Sequence, residues 1–174
     1  PRRPAALLNV LKNRPYAFFL DSACGYKKLG RSSFLGCEPF LVFRSKRDSV
    51  TLEWRGGKTE KFKSNPFTAL KDIFGKFSVS DGDGLPFTSG GVGYFAYDLK
   101  DFVERLPNIA SDDLNLPDCI IGFYDCVIVY DNLDGKAYLS SSGLPETDPV
   151  KNRKRANDRL KEFKALLSGG ESRE

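Results

Sequence analysis

Residues 119–131 read CIIGFYDCVIVYD and form the most apolar run of the chain. The run is continuous rather than alternating, which is typical of a central strand with both faces buried. Asp125 places a carboxyl group inside it, and a buried carboxylate needs a partner or a raised pKa. Without a histidine or an obvious nucleophile nearby, a structural ion pair with Arg31 or Arg44 explains Asp125 better than catalysis does.

The segments on either side of this run predict hairpins and single helices. Apolar and polar residues alternate over 50–55, and Gly56-Gly57 is a two-residue hairpin signal, so we expect a meander ending near Phe62. Asn65 is suited to cap a helix that ends at Gly75. The remaining strands are expected at 16–21, 39–45, 91–97 and 136–141. The remaining helices are expected at 5–13, at 98–106 and from Asp148 to about Leu167, and Asp98 is suited to cap the second of them. This order predicts an α+β fold with a largely antiparallel sheet flanked by helices.

Length and composition indicate a globular chain. The 174 residues suit one domain, and 40% of them are hydrophobic and 13% aromatic, enough for a sizeable core. No stretch approaches the roughly 20 apolar residues of a membrane span, and no signal peptide is visible. We therefore expect a cytoplasmic protein that does not contact a membrane.

Two absences limit the chemistry. The chain has no histidine, so imidazole acid–base catalysis and imidazole metal ligation are excluded. The four cysteines (Cys24, Cys37, Cys119 and Cys126) form no CxxC pair, which argues against a zinc site and favours buried free thiols. We expect no metal and no catalytic residue in this chain.

The chain also lacks methionine and starts at Pro1, as a fragment or processed product would.

The charge distribution does not favour nucleic acid as a partner. The formal net charge is +4, and basic residues cluster at 151–155 on a predicted helix. Acidic residues follow, and no aromatic platform accompanies the cluster, so a solvated helix face is the better interpretation.

A glycine-rich segment precedes the central run. Gly90, Gly91 and Gly93 resemble a phosphate-binding turn in composition, but they open an apolar strand rather than a helix. Close backbone packing explains them better.

The most promising polar group lies at the two ends of one loop. Asp21 and Ser22 precede the loop, and Arg31, Ser32 and Ser33 follow it. If these ends lie side by side, they suit a zwitterionic ligand, with its carboxylate on Arg or Ser and its ammonium on Asp. Loop capping by Asp and Ser hydrogen bonds is the alternative.

Three segments, in this order, resemble the N-terminal region of the chorismate-utilising enzymes. GRSSFLG at 30–36 with EPF at 38–40 resembles their GRYSFLG-x-x-P segment. GGVGYFAYD at 90–98 resembles GGxxGYFxYD, and LPD at 116–118 with GFYD at 122–125 resembles LPD…GFYD. The resemblance covers nearly the whole chain and implies the N-terminal part of a multilayer α/β/β/α fold.

The resemblance also implies where catalysis takes place. In this family, chemistry and the Mg²⁺-binding glutamates belong to a C-terminal chorismate-binding domain, and none of that appears here. Residues 1–174 are then expected to be an N-terminal domain, inactive alone and with apolar surface exposed. Its expected partners are that C-terminal domain and a glutamine amidotransferase subunit, with Mg²⁺ needed only by the full-length enzyme.

In anthranilate synthases of the family, the N-terminal domain carries a feedback site for tryptophan. FLDS at 19–22 occupies the position of the family's LLES segment, with Asp21 in place of Glu, and Ser32 stands where Tyr is common. The resemblance thus implies a tryptophan-type pocket formed by Leu20, Asp21, Ser22, Arg31 and Ser32.

These departures favour component I of aminodeoxychorismate (para-aminobenzoate) synthase, which serves folate biosynthesis. Component I of anthranilate synthase, in tryptophan biosynthesis, is the alternative. A stand-alone amino-acid-binding module is an alternative of another class.

Overall fold

The computed structural model describes residues 3–22, 30–78, 84–107 and 112–169. Cys24, Gly170 and parts of the segments between the predicted elements, at 22–36, 78–90 and 107–118, lie outside the described residues. The chain divides into two compact units, the first from Pro1–Phe40, Val79–Gly90 and Tyr124–Glu174, the second from Leu41–Ser78 and Gly91–Phe123.

In its described residues, the first unit contains a four-stranded sheet and two helices. Its strands lie in the order β1-β2-β8-β9, and all three strand pairs are antiparallel. The elements are α1 (Pro4–Leu11), β1 (Phe18–Leu20), β2 (Ser32–Gly36), β8 (Cys126–Asp131), β9 (Lys136–Ser141) and α3 (Pro149–Gly169). The register places Leu20 opposite Phe34 on β2, and Ser33 opposite Tyr130 on β8.

The core of the first unit lies between this sheet and the two helices. Leu11 of α1 and Phe163 of α3 meet the sheet side chains Leu35 and Ile128, all of them fully or almost fully buried. Asp148 caps α3 by accepting a hydrogen bond from the N–H of Lys151 at 3.0 Å.

The second unit contains a five-stranded sheet in the order β5-β4-β3-β7-β6. The β5–β4, β4–β3 and β3–β7 pairs are antiparallel. The elements are β3 (Leu41–Lys46), β4 (Ser49–Trp54), β5 (Thr59–Lys63), α2 (Pro66–Lys76), β6 (Gly90–Phe95), a 3-10 helix (Tyr97–Phe102) and β7 (Cys119–Tyr124). The predicted meander is confirmed, as is the Asn65 cap, whose side chain accepts from the N–H groups of Phe67 and Thr68.

Gly93 shows why strand β6 begins with glycines. A Cβ at Gly93 would collide with the carbonyl oxygen of Ile120 on the neighbouring strand β7. A Cβ at Gly91 would lie 2.9 Å from side-chain atoms of Ile121 and Phe74. The interpretation of this segment as close backbone packing is confirmed.

The α+β class and the antiparallel pairing are confirmed, but the single central strand was wrong. Residues 119–131 form two strands, β7 and β8, that belong to different sheets. The break falls at Asp125, whose carboxylate is bound by arginines of α3. The Asp125 carboxylate must reach these arginines outside the sheet, and the strand is interrupted at this residue.

The predicted helix at 98–106 is confirmed only in part, and its length and its cap were wrong. The chain forms the shorter 3-10 helix there, and Ala96 rather than Asp98 occupies the N-cap position without a side-chain bond. The Asp98 carboxylate lies 3.9 Å from the ammonium of Lys100 instead.

Candidate functional site

A hydrogen-bonded set of polar side chains lies where strand β1 ends. The fully buried Ser33 hydroxyl donates to Asp21 Oδ1 at 2.7 Å. The N–H of Ser22 donates to the same oxygen at 3.0 Å. Two donors therefore hold the Asp21 carboxylate in place, and among the described residues no donor reaches its second oxygen.

Asn132 joins the end of β8 to the same set. Its side-chain amide donates to Ser33 Oγ at 2.9 Å, and its backbone N–H donates to the carbonyl of Arg31 at 2.7 Å. The Ser22 hydroxyl donates to the carbonyl of Ser32 at 2.8 Å. The ends of β1, β2 and β8 thus share one polar network.

Arg31 points toward β8 rather than toward Asp21. Its Nε and Nη2 donate to Asp131 Oδ2 at 2.9 and 2.6 Å, and Asp134 lies 3.5 Å from Nη2. The guanidinium lowers the pKa of Asp131, helped by the backbone N–H of Asp134, and Asp131 in turn raises the pKa of Arg31. Nη1 has no hydrogen-bond partner among the described residues.

An apolar group lies at the same strand ends, on the face of the sheet opposite Ser33. Leu20 is 49% exposed at the end of β1 and pairs across the sheet with Phe34. Phe34 packs edge to face against Phe87, with ring centroids 5.7 Å apart. An exposed leucine beside an aromatic pair can cover one side of a flat apolar group.

The polar groups have counterparts in a free amino acid. A fixed carboxylate suits an ammonium group, and a guanidinium suits a carboxylate. Within the described part of the chain, no group of three His, Cys, Asp or Glu side chains could hold a metal ion.

The structure places the five predicted residues at one end of the sheet, in different roles. Asp21 and Ser22 join the network, Ser32 contributes its carbonyl, Arg31 is paired with Asp131, and Leu20 is exposed.

Sequence reasoning named Ser33 in the polar group at the loop ends, although not in the predicted pocket, and it missed Asn132. The alternation of β2 supports the place of Ser33, because it shares the buried face with Leu35 and a hydroxyl there needs a partner. No local signal identifies Asn132, whose place depends on the pairing of β2 with β8.

Asp125 forms a buried ion pair, but not with the arginines first expected. Its carboxylate lies 3.2 Å from Arg159 Nε and 3.3 Å from Arg155 Nη2. Arg31 and Arg44 are 2.6 and 3.2 Å from Asp131 and Glu53 instead. Burial lowers the pKa of Arg159, but Asp125 and Glu162 outweigh this effect and the pKa is raised. The interpretation as a structural ion pair holds, with helix α3 supplying the cations.

The second unit exposes aromatic side chains beside strand β6. Phe67 and Phe95 stack with centroids 6.4 Å apart and rings 19° from parallel, and both are well exposed. Tyr97 is 77% exposed. Large exposed aromatic groups are typical of surfaces that another protein segment covers.

Among the described residues, no helix is long and apolar enough to cross a membrane.

Comparison with known proteins relates the chain to one enzyme family. No family model matches it. It is 38% identical over 137 residues to anthranilate synthase component 1 of Acetivibrio thermocellus, a match that covers 78% of this chain and 28% of the relative. It is 33% identical over 174 residues to the protein of that name from Neisseria meningitidis serogroup C, covering 94% of this chain and 34% of the relative.

Solved structures agree with the sequence comparison. The crystal structure of anthranilate synthase component I from Streptococcus pneumoniae matches with a TM-score of 0.60 and 20% identity, covering 94% of this chain and 35% of that one. This likeness shows the fold. The chain spans about a third of the length of the relatives it matches. The chain therefore belongs to the chorismate-utilising enzyme family, as a counterpart of the N-terminal region of anthranilate synthase component I.

Proposed function

We propose that this chain is the N-terminal part of an anthranilate synthase component I and binds tryptophan as a feedback signal. The longer protein would convert chorismate to anthranilate and pyruvate, with Mg²⁺ in its C-terminal domain and ammonia from a glutamine amidotransferase subunit. The names of the relatives support anthranilate synthase over the aminodeoxychorismate synthase preferred from residues 19–22 and 32. An Asp in place of Glu keeps the carboxylate, so Asp21 does not argue against tryptophan binding.

The observation that carries the proposal is the Asp21 carboxylate, which Ser22 and Ser33 hold by one oxygen, while no donor among the described residues reaches the other. In the proposed complex, Asp21 receives the ammonium group of the amino acid. Arg31 Nη1 and the Ser32 hydroxyl bind its carboxylate. Leu20, exposed at the end of β1, lies against the indole ring.

The exposed aromatic residues beside β6 support the proposal of a larger protein. Phe67, Phe95 and Tyr97 belong to the second unit, whereas Asp21, Ser22, Ser33 and Asn132 belong to the first. We place the contact with the C-terminal chorismate-binding domain on this aromatic group. In this proposal, the first unit binds tryptophan and the second unit contacts the C-terminal domain.

The test uses the full-length protein with chorismate, Mg²⁺ and ammonium. We expect fluorescent anthranilate as the product and inhibition by L-tryptophan. Asp21→Asn removes the charge that faces the ammonium group, and we expect about tenfold weaker inhibition with little change in uninhibited turnover. Asp72→Asn, an exposed change on α2, is the matched control and leaves inhibition unchanged.

Two results count against the proposal. Formation of aminodeoxychorismate instead of anthranilate would restore the other family member as the better assignment. Equal inhibition of the wild type and Asp21→Asn by tryptophan would remove Asp21 from the binding site.

A further inference from the structure

The second unit contains a cavity of about 470 Å³ that is unrelated to the polar network at Asp21. It lies between the β4–β5 hairpin and the C-terminal end of α2. Its lining consists of Leu52, Trp54, Lys58, Glu60, Ile73, Lys76 and Phe77. Its volume falls within the range of small-molecule sites, roughly 300–1,000 Å³.

The strand register explains why these side chains converge. Leu52 and Trp54 are two residues apart on β4 and therefore share a face. Glu60 on β5 lies opposite Leu52, and the N–H of Trp54 donates to the carbonyl of Lys58 at 2.8 Å. The last turn of α2 covers this face with Ile73 and the residues that follow it.

The floor of the cavity is apolar and aromatic. Leu52, Ile73 and Phe77 are each less than 10% exposed. The Trp54 ring meets the Phe77 ring edge to face, with centroids 6.0 Å apart. The Trp54 indole N–H donates to Glu60 Oε1 at 3.1 Å, which fixes the ring plane. The cavity thus offers a flat ligand a held aromatic surface.

The rim carries two cations and one anion, and the anion is already engaged. Glu60 accepts from Trp54 and lies 2.8 Å from the Lys58 ammonium, which lowers its pKa. Lys76 Nζ lies 6.0 Å from the centroid of Trp54 and 5.3 Å from that of Phe77. No described carboxylate lies within ion-pair distance of Lys76. A cation therefore already occupies the position over the rings, and the net charge of the rim favours an anionic ligand.

We propose that this cavity binds a small aromatic carboxylate, with its ring against Trp54 and Phe77 and its carboxylate on Lys76. Ring stacking accounts for the aromatic part, and a charge-assisted hydrogen bond accounts for the acid. The C-terminal end of a helix carries partial negative charge, so the positive charge of the site comes from the two lysines. A positively charged ligand with the same ring therefore tests the proposal directly.

Trp54 is the one tryptophan of the chain and reports on this cavity by its own fluorescence. The experiment titrates the full chain with benzoate and follows Trp54 emission. Cyclohexanecarboxylate keeps the charge without the aromatic ring, and benzylamine keeps the ring with the opposite charge. We expect a saturable change with benzoate, and at least about fivefold weaker binding of the other two, since partly solvated charge contacts contribute modestly.

Two exposed lysines of α2 give a matched pair of variants. Lys76→Gln should weaken benzoate binding about fivefold, whereas Lys71→Gln, outside the cavity, should leave it unchanged. Far-ultraviolet circular dichroism checks that both variants fold. A linear response without saturation would overturn the proposal. Equal affinity in Lys76→Gln, or benzylamine binding as tightly as benzoate, would overturn it as well.

Discussion

The Ser33 hydroxyl donates to Asp21 Oδ1 at 2.7 Å across 12 residues of chain. Ser33 is fully buried, and its oxygen also accepts from the Asn132 amide. One hydroxyl on β2 therefore orients the carboxylate at the end of β1 and an amide at the end of β8. A single buried side chain links the three strand ends that form the candidate site.

Replacing this hydroxyl should destabilise the protein and disturb the site. Ser33→Ala removes the acceptor of the Asn132 amide at 2.9 Å and leaves Asp21 Oδ1 with the Ser22 N–H alone, at a cost of about 1–3 kcal/mol in the free energy of unfolding. Urea denaturation of the chain measures it. Ser32→Ala, at the neighbouring half-buried position, should change stability by less than about 0.5 kcal/mol. Equal effects of the two changes would show that the Ser33 network contributes nothing.

The buried ion pair of Asp125 should be the more sensitive contact. Asp125→Asn leaves Arg159, which is 3% exposed, without its main counter-charge. Breaking one side of a buried pair costs about 3–5 kcal/mol. Asp158→Asn, on the exposed face of α3, should cost less than about 0.5 kcal/mol. Thermal unfolding compares the two variants, and a small loss in Asp125→Asn would contradict the role given to this pair.

Replacing glycine by alanine should have opposite effects on stability at two positions. Gly93→Ala places a Cβ against the Ile120 carbonyl and should separate β6 from β7, with a large loss of stability or failure to fold. Gly75→Ala adds a Cβ in open space inside α2. It should stabilise the protein by roughly 0.5–1 kcal/mol, because alanine favours a helix over glycine. Denaturation midpoints test both, and a tolerated Gly93→Ala would contradict the close approach of the strands.

The Arg31–Asp131 pair predicts a dependence of stability on pH. The pKa of Asp131 is lower in the folded protein than in the unfolded chain, because Arg31 stabilises the carboxylate. Its contribution to stability is therefore complete above the unfolded pKa of about 4 and is lost as pH falls through the lowered folded value. Asp131→Asn keeps an oxygen for the turn at Leu133 and removes the charge.

We expect the unfolding midpoints of the wild type and Asp131→Asn to differ at pH 7 and to converge as the pH falls below about 4. Unfolding curves recorded over this pH range measure the difference. A constant difference between the two proteins at every pH would mean that Asp131 acts through its turn rather than through its charge.

Local patterns predicted much of the fold. Alternation around Leu52 and the hairpin signal at Gly56-Gly57 gave β4 and β5, and Asn65 gave the start of α2. These features depend on neighbours within a few residues. The division of 119–131 at Asp125 does not, because the partners Arg155 and Arg159 lie 30 and 34 residues away on α3.

The candidate site shows the same limit. The sequence indicated Asp21, Ser22, Arg31 and Ser33, but Asn132 joins the network through the pairing of β2 with β8. The Asp131 partner of Arg31 lies 100 residues further along the chain. Sequence spacing carries no information about contacts at that distance, so the network is known only from the folded chain.

The central claim is that the first unit binds tryptophan through Asp21, and calorimetric titration of this chain with L-tryptophan tests it most directly. We predict saturable 1:1 binding of L-tryptophan, much weaker binding of indole-3-propionate, which lacks the ammonium group, and loss of binding in Asp21→Asn. Absence of binding, or equal affinity for L-tryptophan and indole-3-propionate, would contradict the account.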